Sequence, residues 1–315
     1  MDKKFNVTSA PHDRGRMDTQ KIMLCVLISL LPATFFGIYN FGYKAAIIIV
    51  VTVATCVISE FLFNLIVKKD QTIKDLSAVV TGLLLALNLP HTLPWWMAVI
   101  GGVFAIVVVK MLFGGLGQNF MNPALGARCF LLISFTSYMT SFSYDGITEA
   151  TPLALLKNGE SVDPLKMLLG TEAGTIGETS VVFLLIGAIF LILMGIIDIR
   201  IPGAYLITFA LFIMIFGGHG FDMTYLIEHL CGGGLVLGAF FMATDYVTSP
   251  ITPLGKVIFG IILGLLTGIF RLFGSNAEGV SYAIIIGNLL VPLIEKITIP
   301  RAFGITKVKE VKEDE

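Results

Sequence analysis

The sequence predicts an all-α integral membrane protein of about ten transmembrane helices, arranged as two inverted five-helix repeats with broken or short helices. First, 56% of the 315 residues are hydrophobic and only 14% charged, with a mean hydropathy of +0.88; a soluble domain carries roughly 25% charged residues. Second, charge-free runs recur at Ile22 to Tyr43, Ser77 to Val109, Thr179 to Ile197 and Ile201 to Phe221. Each is near or beyond the ~20 residues with which a helix crosses a hydrocarbon core. Third, in the ten-helix arrangement all 21 Lys and Arg except Lys44, Lys157, Lys166 and Arg271 lie on or toward one side, the bias expected of cytoplasmic loops. The alternation of a β-barrel is absent, so the spans are read as helices.

Residues 1–21 form a basic, polar N-terminal segment, placed in the cytoplasm by its charge, and 22–142 hold the first repeat. Helix one runs from about Ile22 to Phe41 with a kink at Pro32. Helix two, about Lys44 to Val67, returns to the basic turn Lys68 to Lys74. Pro90 and Pro94 then divide the next run into a short helix, about Leu76 to Leu89, and a longer one, about Trp95 to Phe113. Interrupted helices at membrane depth are expected to line a site, because freed backbone groups cannot face lipid. A glycine-rich turn, Gly114 to Pro123, leads into helix five, about Ala124 to Phe142, and 143–178 make an external loop.

The second repeat occupies 179–296. Helix six, about Thr179 to Ile197, turns at Asp198-Ile199-Arg200 into helix seven, about Ala204 to Phe216. Helix eight, about Tyr225 to Ala243, breaks at Thr244 to Pro250; helices nine, about Leu254 to Phe273, and ten, about Val280 to Glu295, follow. Residues 297–315 form a cytoplasmic tail. Thr81 to Pro90 is echoed by Val236 to Asp245, and the Gly114-Gly115 turn by the one at Gly274. Five helices per half is odd, so the halves are expected to be inverted.

Several function classes fall away. The net charge is −1, and without a basic stripe no nucleic-acid partner is expected. Cys25, Cys56, Cys129 and Cys231 are scattered within predicted spans, without the spacing of a cluster, zinc site or disulfide framework, and read as small core or lipid-facing residues. His12, His91, His219 and His229 offer no i, i+4 pair, so no metal site is expected. The polar first twenty residues do not resemble a cleavable signal peptide.

Chemistry is suggested at three places. In the polar interruption Asp145 to Leu153, Thr151 falls at a helix N-cap with Pro152 at the first helical position and Gly159 near the stop. The N–H groups and positive dipole end there suit a phosphate, although Thr151 reads equally as a simple cap. Inverted repeats place Asn88 and Pro90 on the external side near Thr151, and Asp245 on the cytoplasmic side near Asn119 and Asn122. Amides beside exposed backbone groups suit a flat heterocycle rich in carbonyl and N–H groups; taken alone, Asn122 before Pro123 and Asp245 also read as helix caps. Within or near the spans, Glu60, Lys110 and Arg128 are ionisable groups, functional by default. Glu60 is either part of an ion pathway or a charge that pairs, snorkels or meets another subunit.

Four motifs occur in one order over nearly the whole chain: Ser9-Ala10-Pro11-His12-x-Arg14; Gly114 to Asn119 with Asn122-Pro123-Ala124; Asp145-x-x-Thr148-x-Ala150-Thr151-Pro152-Leu153; and Met242-Ala243-Thr244-Asp245 with Thr248-Ser249-Pro250. Together they closely resemble the family containing the D subunit of the Rnf complex, the membrane ferredoxin:NAD oxidoreductase. More distantly they are similar to the B subunit of the sodium-pumping NADH:quinone reductase. The resemblance implies an electron-transport subunit of the bacterial cytoplasmic (inner) membrane, coupled to Na+ or H+ translocation and without a catalytic site of its own. It implies FMN joined to Thr151 through a phosphoester, with Asp145, Thr148, Ala150 and Asn88 around it, and a non-covalent riboflavin at Asn119, Asn122 and Asp245. Glu149 stands where the family pattern often has a small residue. The implied partners are the other membrane and peripheral Rnf subunits, a flavin transferase and membrane lipid. A passive channel or small-solute transporter of inverted-repeat architecture is the alternative, and it would have no use for the Thr151 motif.

Overall fold

The long apolar runs fold as helices, and several of them stop at a glycine, among them Gly42, Gly217, Gly232 and Gly274. The computed structural model describes residues 18–144, 147–148, 151–158, 160, 162–178, 180–218, 220–274 and 279–300. Ser9 to Arg14, Asp145, Glu149, Ala150, Gly159, His219 and the tail from 301 lie outside the described residues, as does the side chain of Thr148.

In chain order the helices are α1 Thr19–Phe41, α2 Tyr43–Val67, α3 Ser77–Leu87, α4 Trp95–Met111, α5 Pro123–Ser134, α6 Thr136–Met139, α7 Pro152–Lys157, α8 Pro164–Leu169, α9 Val181–Leu193, α10 Arg200–Phe216, α11 Met223–Cys231, α12 Leu235–Met242, α13 Pro253–Phe273 and α14 Val280–Thr298. A two-residue antiparallel pair, β1 Ser143–Tyr144 and β2 Ile147–Thr148, is the only strand structure among the described residues. Four helices, α1, α2, α13 and α14, are long and apolar enough to cross a membrane; α11 and α12, bent by 62° at their break, make a fifth if taken as one span. Helices α3, α4, α5, α9 and α10 are apolar but have only 10–17 residues each. The fold is helical and of membrane type.

Backbone accounting explains how the short helices survive in an apolar interior, where every freed N–H and C=O needs a partner. Where α3 stops before Pro90, the carbonyls of Leu87 and Leu89 accept from Gly177 N–H (2.8 Å) and Ile176 N–H (3.1 Å). That pins the loop ahead of α9 to the end of α3. Where α11 stops, the buried Arg271 of α13 donates to the carbonyls of His229, Gly232 (2.6 Å) and Gly233 (3.5 Å). Between α10 and α13 the backbones approach closely: a Cβ at Gly264 would lie 2.8 Å from the carbonyl oxygen of Tyr205, the small-residue contact common between membrane helices.

Several boundaries differ from the sequence expectation. Helix five is expected to reach Phe142 but ends at Ser134, because Phe135 leaves helical geometry at φ −133° and ψ 48°. The stretch expected as one helix from about Tyr225 to Ala243 breaks at Gly232–Gly234, where Gly233 and Gly234 adopt φ of 67° and 63°, a region that glycine enters without penalty. Residues Phe104–Met111 of α4 run as a π-helix, a widened turn frequent at functional sites. Pro32 is accommodated inside α1.

Candidate functional site

A cavity with about 770 Å³ of empty space, its open mouth included, lies between the first turns of α1, α3, the end of α4, the turn before α5 and the end of α12. Asn119 and Asn122 line it together with Asp245, more than a hundred residues further along the chain. Asn122 is committed: its Oδ1 caps α5 by accepting from Ala124 N–H (3.0 Å) and Leu125 N–H (3.4 Å), and its Nδ2 donates to the Met242 carbonyl (3.4 Å). The cap reading of Asn122 therefore holds alongside its place in the cavity. Asn119 is different. It is 7% exposed, and its Oδ1 has no hydrogen-bond partner among the described residues. Burial pushes the Asp245 carboxyl above the usual carboxylate range, against the N–H of Val247 and the hydroxyl of Thr248, which favour its charged form. Val80, Leu84, Phe240 and Phe241 supply apolar wall.

Lys110, on the π-helical end of α4, lines the same cavity. Its Nζ donates to Glu60 Oε2 (2.6 Å) and to Ser77 Oγ (2.6 Å), with side-chain exposures of 2% for Lys110 and 0% for Glu60. Ser77 Oγ in turn donates to Asp75 Oδ1 (2.6 Å), and Thr72 donates its hydroxyl to Glu60 Oε1. Of the readings open for Glu60, the structure shows a paired charge.

Thr151 lines a second, smaller pocket of about 370 Å³, with Pro152, Leu153, Glu172, Glu178 and the Gly232–Gly233 break among its walls. Leu153 packs where a Cβ on Gly233 would sit, 2.1 Å from Leu153 Cδ1, so α7 rests on the broken helix. Lys157 ties the other end of α7 to the Gly274 carbonyl. Thr151 stands at the N-cap position as expected, and its carbonyl accepts from Ala154 N–H (2.8 Å) and Leu155 N–H (3.1 Å). Its hydroxyl, however, makes no capping hydrogen bond. The expected N-cap position holds, but without the side-chain hydrogen bond, and that oxygen is uncommitted.

Asn88 is not among the residues lining the Thr151 pocket. It is buried between the halves of the chain, accepting from Arg128 Nη1 (3.2 Å) and donating to the Leu84 carbonyl (2.7 Å). The two cavities lie at opposite ends of α1. Ile22, Met23 and Val26 line the larger one, whereas Asn40 Nδ2 donates to the Gly170 carbonyl (2.9 Å) beside the loop that walls the smaller. At 1.5 Å per residue, Val26 and Asn40 are about 21 Å apart along the helix.

Three features lie beyond the sequence expectation. The Gly232-Gly233-Gly234 run carries a break signal, and Arg271 is legible as a costly charge in apolar surroundings. Tyr246, which reaches the Ile196 carbonyl, has no such signal.

The larger cavity fits an isoalloxazine ring by the chemistry of its donor set: apolar walls, an uncommitted buried amide acceptor for a ring N–H, and a carboxyl at one edge. The smaller one fits the phosphoester linkage, through a half-buried, uncommitted hydroxyl. The carboxylates Glu172 and Glu178 in its wall disfavour burying phosphate charge deeper.

The profile of the NQR2, RnfD, RnfE family matches residues 6–304. The chain is 48% identical to the D subunit of the Na(+)-translocating ferredoxin:NAD(+) oxidoreductase complex of Acetobacterium woodii, with 97% of each chain covered. It is 40% identical to the D subunit of the proton-translocating ferredoxin:NAD(+) oxidoreductase complex of Clostridium ljungdahlii, covering 95% of this chain and 96% of that one. It is 34% identical to the D subunit of the ion-translocating oxidoreductase complex of Escherichia coli K12, covering 95% and 98%.

Proposed function

This chain belongs to the NQR2, RnfD, RnfE family, and on that premise we propose that it is the flavin-carrying electron-transfer subunit of an ion-translocating ferredoxin:NAD(+) oxidoreductase complex. It is a D-type subunit of such a complex, as its relatives are named, and works with the other subunits. The passive-pore alternative loses its footing against relatives named as oxidoreductase subunits.

The observation that carries the flavin reading is the convergence of Asn119, Asn122 and Asp245 on one cavity, with a buried acceptor on Asn119 left over. Bound there, riboflavin supplies one-electron chemistry. The chain's own residues would hold it: Asn119 would offer it a hydrogen-bond acceptor, Asn122 fixes the turn into α5, and the aromatic and aliphatic walls would exclude water. Thr151 provides the oxygen that a flavin transferase esterifies to FMN, with Asp145, Thr148 and Ala150 completing the recognised motif. The chain is read as ten spans in two inverted halves, each short apolar helix counting as one, in the bacterial cytoplasmic membrane. Both termini are cytoplasmic and the Thr151 loop external.

The test is a flavin inventory. Full-length protein co-expressed with the transferase should release one riboflavin on acid extraction and keep one FMN on the denatured polypeptide. Absence of both from folded protein would overturn the proposal.

A further inference from the structure

Among the described residues lining the larger cavity, Lys110 is the only cation. It is held from behind by Glu60 at 2.6 Å, which does not line the cavity. A buried ion pair is a poor way to stabilise a core, since desolvation offsets most of its attraction and apolar residues of similar volume do as well or better. The same low dielectric that makes the pair costly makes the ammonium effective on any charge that appears in the cavity.

We infer that Lys110 sets the reduction potential of the flavin in this cavity, and that Glu60 limits how far it does so. The inference rests on the reading of the cavity as a flavin site. One electron, delivered by the neighbouring carrier of the oxidoreductase complex, adds one negative charge to the ring. The ammonium in the wall stabilises that charge while keeping all its own protons. Glu60 cancels part of the ammonium's field from the far side. The two residues are therefore positioning residues that act with opposite sign: a neutral side chain at 110 makes the ring harder to reduce, and a neutral one at 60 makes it easier. A pair that only braces α2 against α4 has no reason to give opposite signs.

The experiment uses the full-length chain purified in detergent from cells without the flavin transferase, so that riboflavin is the one flavin present. Its absorbance is followed during a dithionite titration with redox dyes, and its content is measured by extraction. Lys110→Met should lower the equilibrium constant for reduction at least about tenfold, about 59 mV for a one-electron step. Glu60→Gln should raise it, and Lys110→Arg, which keeps the charge, should stay nearer to wild type than Lys110→Met. Because Lys110→Met leaves Glu60 as a lone buried charge, Glu60→Gln is also compared with Glu60→Gln/Lys110→Met, where the same fall is expected without that hazard. Riboflavin retained throughout with unmoved potentials would overturn the inference and leave the cavity reading standing. Wild-type protein that folds without riboflavin would overturn both.

Discussion

Asn88 and Met242 meet across the chain: Asn88 Nδ2 lies 3.7 Å from Met242 Sδ, 154 residues away in sequence. Asn88 is the C-cap of α3, and Met242 is the last residue of α12, two interrupted helices. Arg128 secures the junction by donating to Asn88 Oδ1 (3.2 Å) and Ser281 Oγ (2.7 Å). Asn88→Ala should destabilise the protein by about 1–3 kcal/mol, because it strips a buried guanidinium of an acceptor. Thermal unfolding in detergent measures this, and an unchanged midpoint would contradict it.

Thr151→Ala should abolish the ultraviolet-fluorescent band on a denaturing gel while leaving thermal stability unchanged. Loss of a helix cap ordinarily costs about 1 kcal/mol, but the Thr151 hydroxyl caps nothing. A persistent band would remove the attachment site, and a clear drop in stability would show that the hydroxyl caps α7 after all.

Asn119→Leu should empty the larger cavity of riboflavin at little cost in stability, since the Asn119 Oδ1 has no bond to lose. Extracted flavin per mole of folded protein is the readout. Retention at wild-type level would sink the role given to Asn119.

Arg271→Met should destabilise by about 3 kcal/mol or more, because the carbonyls at the end of α11 lose charge-assisted bonds, and should weaken flavin attachment at Thr151 through the shared Gly232–Gly233 wall. Arg271→Lys should recover little, as an ammonium cannot reproduce the fork that reaches several carbonyls at once. Full rescue by lysine would show that charge alone suffices.

His91, in the turn between α3 and α4, accounts for one pH effect. Burial, and then the nearby Lys44, hold its pKa below 6.5, so the unfolded chain binds the proton more readily than the folded one. Stability is therefore complete above the unfolded value and declines as pH falls from about 7 toward 5. His91→Gln should flatten that part of the stability profile; an unchanged slope would assign it to other groups.

The helices and the cavity trio are legible in the sequence because each rests on a local signal: apolar runs of span length, prolines at Pro90 and Pro94, amides beside Pro123. Asn88 is not, because a side chain at a helix end can point toward either half, and only the packed structure shows Arg128 claiming it. Nor is the freedom of the Thr151 hydroxyl, because composition at an N-cap does not fix a rotamer. The Glu60–Lys110 pair joins α2 to α4, and no spacing rule links residues fifty positions apart.

Both sites are stitched from distant parts of the chain. The larger cavity needs Ile22 and Tyr246, and the smaller needs Thr151 and Gly233, with Arg271 holding that glycine in place. During synthesis neither exists until most of the protein has left the ribosome and entered the bilayer. Cofactor loading is therefore a late event in biogenesis, and a polypeptide cut short before residue 230 would reach the membrane yet lack wall residues of both cavities.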